Sequence, residues 1–230
     1  MENLNGENLK KKLKKNDIYK YLNLYRDLYG DNIYLDSNVS EDMPIDKSNK
    51  LDEYLNSIKD CLECPLGKTR KNIVLGMGNP NADIVFVGEA PGKQEDLQGL
   101  PFVGRSGKLL DKMLASINLS RDDIYILNVL KCRPPDNRDP SKLEIEKCEP
   151  YLKEQLKIIK PKLIVALGRI SAMTILRTKE SLTNMRNKIF DYEGVDFLVT
   201  YHPAALLRNP NFKKYAWEDF KLIRDKYINA

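Results

Sequence analysis

The chemistry-bearing residues of this chain are a carboxylate, an amide and an imidazole, each set where an apolar run ends. Glu89 lies in DIVFVGEAPGKQEDLQGLPFVGR (residues 83–105), where the short apolar run from Ile84 stops at Gly88-Glu89-Ala90-Pro91-Gly92. The glycines let the backbone turn sharply and let something flat come close to the main chain. Pro91 removes a donor and fixes its own φ, so the loop is stiff. Asn128 ends a second run, Ile124–Val129; Gly168-Arg169 follow a third, Leu163–Leu167; and the only histidine, His202, follows a fourth, Phe197–Thr200. In a parallel sheet, ligands sit outside the carboxyl ends of the strands, so these groups converge on one edge. A rigid loop carrying a carboxylate, with an aromatic (Phe102) beyond it, is where an α/β enzyme binds its substrate. The plainer alternative is a strand-to-helix connection whose glycines only serve the turn.

A second group is made of thiols. Cys61 and Cys64 form a C-x2-C pair, while fifteen residues separate Cys132 from Cys148. In a chain that reads as cytoplasmic, disulfides are disfavoured and a metal centre fits better. A zinc ribbon normally offers two close pairs, and the second pair here is wide. Four thiolates with one wide spacing suit a [4Fe–4S] cluster at least as well. On spacing alone, cluster, zinc and unliganded thiols all stay open. Gly76, Gly78 and Gly88 lack the spacing of a dinucleotide fingerprint.

The elements that must position these groups follow from periodicity. Strands are expected at Ile73–Leu75, Ile84–Val87, Ile124–Val129, Leu163–Leu167 and Phe197–Thr200. Helical patterns fall at Ser106–Ile117, Ser141–Ile159, Arg169–Leu176 and Lys213–Tyr227, with Ser141 and Glu144 forming a capping box. The stripe Leu51, Leu55, Ile58 and Leu62 predicts a helix that delivers Cys61 and Cys64. Strands alternating with helices imply a mostly parallel sheet covered on both faces. Residues 1–50 read as a separate extension: a helix through Ile18, Tyr21, Leu22, Leu24, Tyr25 and Leu28, capped at Gly30, then an acidic, polar linker. Residues 51–230 form the main domain.

The 230 residues suffice for one good core and an appendage. No apolar run approaches the ~20 residues a transmembrane helix requires, and the N-terminus has no apolar signal region. Cytoplasmic localisation is the expectation. The net charge of +5 divides as +3 over residues 1–30, −5 over 31–60 and +7 over the rest. Excess positive charge on the globular part is compatible with a polyanion partner. The KKKLKK run reads as a solvated helix face.

GEAPGKQED (88–96), PFVGRSG (101–107), LNVLKCRPPDNR (127–138) and HPAALLRNP (202–210), with the four cysteines, closely resemble the family 4 uracil-DNA glycosylases. The resemblance covers roughly residues 51–227 in motif order. It implies a three-layer α/β/α fold around a short, mostly parallel sheet, and hydrolysis of the N-glycosidic bond of deoxyuridine in DNA, leaving an abasic site. By the same resemblance Cys61, Cys64, Cys132 and Cys148 hold a structural [4Fe–4S] cluster. The implied partner is uracil-containing DNA, double- or single-stranded, bound by a monomer; no membrane is involved.

The resemblance also distributes roles within the site. Phe102 becomes the platform on which uracil stacks, and Asn128 the reader of its edge, accepting from N3–H while donating to O4. His202 donates to O2 as negative charge builds there. Gly88, Glu89 and Ala90 border the base, and Glu89 orients water or offsets positive charge on the sugar. Family 1 relatives carry an aspartate in this motif, which is missing here, and Ala90 stands where some family 4 members have glycine. Glu95 is expected to fill the space by uracil C5 and exclude a thymine methyl group, and Asn137 to position water or DNA. Leu206, Leu207 and Arg208 fall on the loop expected to enter the duplex as an apolar wedge with a phosphate contact. Three rivals follow: a superfamily member with altered chemistry or acting on another deaminated base, a non-catalytic DNA- or polymerase-associated module, and a cluster-dependent redox enzyme. Residues 93–105 lack the histidine-bearing insertion of relatives that trap the abasic sugar.

Overall fold

The computed structural model describes residues 47–228, together with residues 23, 26 and 27. The chain divides into two units, Met1–Ile45 and Asp46–Ala230, and the fold that follows is that of the second. The apolar positions expected to form a helix near the N-terminus, the KKKLKK run and residues 31–46 of the expected linker lie outside the described residues.

Short apolar runs become strands because each is buried on both faces. In chain order the strands are β1 (Met77–Gly78), β2 (Ile84–Gly88), β3 (Tyr125–Asn128), β4 (Leu163–Leu167), β5 (Phe190–Tyr192) and β6 (Val195–Thr200). They form one sheet in the order β1-β3-β2-β4-β6-β5. The central strands β3, β2, β4 and β6 run parallel, and the two edge strands pair antiparallel. From β2 the chain passes to β3 on one side and then to β4 on the other. The carboxyl end of β2 therefore marks the switch point where such sheets open a crevice.

The helices are α1 (Lys47–Ile58), α2 (Leu66–Thr69), α3 (Lys93–Gln98), α4 (Arg105–Ala115), α5 (Lys142–Ile159), α6 (Arg169–Leu176), α7 (Leu182–Met185), α8 (Pro203–Arg208) and α9 (Lys213–Ile223). Strand residues alternate between two cores. Val85, Val87, Leu127, Ile164, Ala166 and Val199 pack beneath α1, α5 and α6. Ile84, Phe86, Ile126, Val165 and Leu198 pack beneath α4 and α9, where Phe86 and Phe220 lie 6.0 Å apart. Each such fully buried side chain contributes about 1.5–3 kcal/mol. The result is the three-layer α/β/α arrangement that the sequence implied. Among the described residues, no helix is long and apolar enough to cross a membrane.

Two local expectations require correction. Ile73–Leu75 is not a strand: Val74 N–H donates to the Lys131 carbonyl at 2.8 Å and Gln155 Nε2 donates to the Leu75 carbonyl at 2.6 Å. These contacts satisfy the backbone outside any ladder, and the short strand comes later, at Met77–Gly78. The stripe through Leu62 also breaks, because α1 ends at Ile58 and Leu62 is 63% exposed. The turn after α1, rather than the helix itself, delivers the first thiol pair.

Candidate active site

The parallel register brings the site together. Gly88 of β2 pairs directly with Asn128 of β3, and Leu167 of β4 pairs with Thr200 of β6. The loops leaving these four ends border a cleft of about 670 Å³. Glu89, Ala90, Glu95, Phe102, Asn128, Asn137, His202 and Arg208 all line it, with Asp139 and Arg169 beside them.

Asn128 forms the floor. It is 2% exposed, and its Oδ1 is buried without a hydrogen-bond partner. An unpaired buried acceptor costs about 1–3 kcal/mol, so the position favours a ligand that donates to it. A β-carbon on Gly88 would lie 2.3 Å from Asn128 Oδ1 and 2.7 Å from the Phe102 ring. Glycine at this position is what leaves room between the amide and the ring.

Phe102 is buried, yet its φ of 52° is left-handed, a conformation that costs a residue with a β-carbon free energy. Its ring centroid lies 5.5 Å from that of His202, with the planes tilted by 31°. Arg121 donates to the carbonyls of both Pro101 and Phe102, and Asp111 holds the Arg121 Nε at 2.7 Å. On the other side, Glu95 Oε1 accepts from Val103 N–H at 3.0 Å and Gly104 N–H at 2.8 Å. Glu95 thus borders the cleft while its carboxylate is engaged with the main chain.

His202 caps α8: its Nδ1 accepts from Ala204 N–H at 3.1 Å. Burial of the ring, with the positive charge of Arg208 second, pushes its pKa down to about 4. At neutral pH the ring is uncharged. The strand leading to it is anchored from beneath by Thr200 and Arg186, which both donate to Asp219. The Arg186 guanidinium also lies over the rings of Tyr201 and Tyr215, at 5.1 and 5.3 Å.

Glu89 stands at the mouth of the cleft. Burial, reinforced by Asp139, raises its pKa to about 7, against the opposing pull of Arg169 and Arg208. Asn137 accepts from Arg133 Nε at 2.8 Å and is exposed. The expected wedge divides. Leu206 is 1% exposed and packs with Tyr201 and Ala216, whereas Leu207 is 39% exposed and Arg208 faces solvent. The chain folds into α8 here, and a short helix must turn one side inward.

All four cysteines border a second, much smaller pocket. Arg70 Nη1 donates to Cys132 Sγ at 3.3 Å, Lys131 N–H to Cys148 Sγ at 3.2 Å, and Cys61 Sγ lies 3.1 Å from the Tyr151 hydroxyl. Among the described residues, no group of three or more His, Cys, Asp or Glu side chains forms a site for a single metal ion. Lys131 also links the two sites: its buried Nζ donates to the Asn128 carbonyl at 2.7 Å.

Sequence reasoning missed Arg121, Arg186 and Asp219. None lies in the loops at the strand ends, and their partners come from distant segments. The only available signal was charge: Arg121 stands in a polar turn, Arg186 just after the short α7, and Asp219 on α9.

Residues 75–221 match the Uracil DNA glycosylase superfamily. A type-4 uracil-DNA glycosylase of Archaeoglobus fulgidus is 49% identical over 181 residues, covering 75% of this chain and 91% of that protein. The type-4 enzyme of Sulfurisphaera tokodaii is 47% identical over 189 residues, covering 78% and 86%. That of Saccharolobus solfataricus is 44% identical over 186 residues, covering 77% and 86%. The chain therefore belongs to the uracil-DNA glycosylase superfamily, within its type-4 branch.

Proposed function

We propose that the protein excises uracil from DNA by hydrolysing the N-glycosidic bond, and that the cleft at the carboxyl end of the sheet performs the reaction. The observation that carries this reading is the buried, unpartnered Asn128 Oδ1, set beside Phe102 and opposite a neutral histidine. A nucleotide must leave the duplex to reach such a pocket. Uracil then lies against the Phe102 ring. Asn128 Oδ1 accepts from N3–H and its amide donates to O4. Cytosine offers the reverse pattern and would leave both buried groups unpaired, which is how polar sites discriminate strongly.

As the bond breaks, negative charge grows on uracil O2 and positive charge on the sugar. With Nδ1 occupied by Ala204, the neutral His202 carries its proton on Nε2 and donates it towards O2. A donor already in place at the developing charge stabilises the transition state. Ionised Glu89 offsets the sugar's charge or orients the attacking water. Gly88 and Ala90 border the base through their backbone, and Asn137 helps place the strand. Leu207 is the wedge residue and Arg208 the phosphate contact; buried Leu206 supports them.

Cys61, Cys64, Cys132 and Cys148 would hold a [4Fe–4S] cluster, which supplies a covalent tie between segments and takes no part in the hydrolysis. Their shared pocket gathers four thiols, the donor set such a group takes, and Arg70 Nη1 and Lys131 N–H already donate to Cys132 and Cys148 Sγ. Without a metal, burial keeps these thiols protonated, pushing Cys148 up to about 11. An iron centre is what makes buried thiols ionise. The N–H groups of Arg70 and Lys131 then face the resulting negative charge. We further assign residues 1–45, rather than 1–50, to a separate extension, since α1 begins at Lys47, the protein to the cytoplasm, and its working form to a monomer on single- or double-stranded DNA. Incubation with an oligonucleotide carrying one uracil, followed by alkaline cleavage at abasic sites, tests the activity. An intact strand after incubation with folded, iron-loaded protein would exclude it.

A further inference from the structure

We propose that Glu95 and Arg121 are positioning residues that clamp Phe102 from both sides, and that uracil binding and release depend on this clamp. The inference rests on the reading of Phe102 as the surface against which uracil lies.

Four consecutive residues are held through their main chain by charged side chains. Arg121 takes the carbonyls of Pro101 and Phe102, while Glu95 takes the amides of Val103 and Gly104. Between these two grips stands Phe102 in its left-handed conformation. Such a conformation persists only where the surroundings over-determine it. Arg121 is itself oriented by Asp111 of α4. The first turn of α4 presses on the same peptide: a β-carbon on Gly107 would lie 1.7 Å from the Phe102 carbonyl oxygen.

The consequence lies in the ring. Its position against Gly88 and His202 is set by the backbone at residue 102 as well as by its rotamer. If either grip is lost, the residue can relax to negative φ, and the ring leaves the position that defines one wall of the pocket. A displacement of ~1 Å in such a wall can cost ~100-fold in rate. Glu95 therefore acts through Phe102, its carboxylate oxygen being occupied by amides.

The test uses the iron-loaded, full-length protein and three readouts: inhibition by free uracil, uracil release, and affinity for DNA carrying an abasic-site analogue. Glu95→Ala and Arg121→Met should each weaken uracil inhibition and slow release at least ~10-fold, while abasic-DNA affinity stays within about twofold. Glu95→Gln keeps a carbonyl acceptor and should recover most of the loss. Arg121→Lys offers one nitrogen in place of a planar fork whose Nε, Nη1 and Nη2 each hold a different partner, and should not. In a Phe102→Leu background the same substitutions should add almost nothing, because coupled residues are not additive. Losses that multiply in that background, or that fall equally on abasic DNA, would overturn the clamp. If the Ala and Met variants do not fold, the Gln and Lys variants carry the same comparison. Phe102→Leu that leaves uracil inhibition and release unchanged would instead remove the stacking reading, and the clamp with it.

Discussion

His202 Nδ1 accepts a hydrogen bond from the backbone N–H of Ala204 at 3.1 Å. That contact joins local structure to chemistry. It caps α8, and by occupying Nδ1 it leaves the proton of the neutral ring on Nε2. The low pKa, about 4, keeps the ring neutral across the physiological range. On the proposed reading, this neutral donor gains little from ground-state uracil and more as charge develops on O2. Interactions that strengthen in the transition state are the ones that accelerate a reaction.

The pH dependence should belong to Glu89. Its pKa of about 7 is raised first by burial and then by Asp139. The ionised fraction grows as pH rises through that value, so kcat/KM should rise on an acid limb near pH 7. Asp139→Asn removes a like charge, lowers the Glu89 pKa and should move the limb to lower pH. Arg169→Gln should move it to higher pH. Profiles of kcat/KM against pH check both directions. A limb that stays in place in both variants would remove Glu89 from the assignment.

Gly88→Ala places a methyl group in the space shared by Asn128 Oδ1 and the Phe102 ring. The two side chains must separate, so uracil release should drop at least ~100-fold, the scale of a misplaced reacting group. Overpacking such a buried position costs about 1–3 kcal/mol, so the midpoint of thermal unfolding should fall by only a few degrees. Paired kinetics and melting curves separate these effects.

The buried Arg186–Asp219 pair, by contrast, should matter for folding. Both side chains are about 5% exposed, and Asp219 also accepts from Thr200 at 2.6 Å. Arg186→Ala leaves that carboxylate buried and uncompensated, a loss of about 3–5 kcal/mol. Urea denaturation should report it. Because the network lies beneath the segment leading to His202, activity should fall as well.

The most legible elements were those in which every level of the sequence agreed. β4 and α6 lie within the expected bounds because an apolar run ends at Gly168 and a helical pattern begins at once. Ser141 and Glu144 form the capping box that their spacing predicted. Helix α3 escaped because its pattern is inverted: the residues it turns inward are Glu95 and Asp96, which bond to the main chain. Strand β5 escaped because three residues next to a Glu193-Gly194 turn carry too little periodicity. The strand-end groups of the cleft were readable because a parallel sheet gathers them wherever its strands fall. Arg121 was not, since its hold on Phe102 exists only once residues nineteen positions apart meet.

Removal of iron should act on stability before chemistry. A cluster on the four thiols would tie the turn after α1 to the segment after β3 and to α5, and a bound centre contributes its binding energy to folding. Cys148→Ser or chelation should lower the unfolding midpoint markedly. At a temperature where the depleted protein remains folded, it should retain measurable uracil release. Release that tracks the cluster's oxidation state instead would contradict a purely structural role.

The most direct test compares uracil release from a single-uracil oligonucleotide by the wild-type protein, Asn128→Ala and His202→Ala. The account predicts release by the wild type. It predicts a loss of ~100-fold or more for His202→Ala, the scale seen when a single donor to a developing oxyanion is removed, and a loss of ~100-fold for Asn128→Ala through a misplaced base, with folding intact. Wild-type activity that survives both substitutions would place the chemistry elsewhere and contradict the site described.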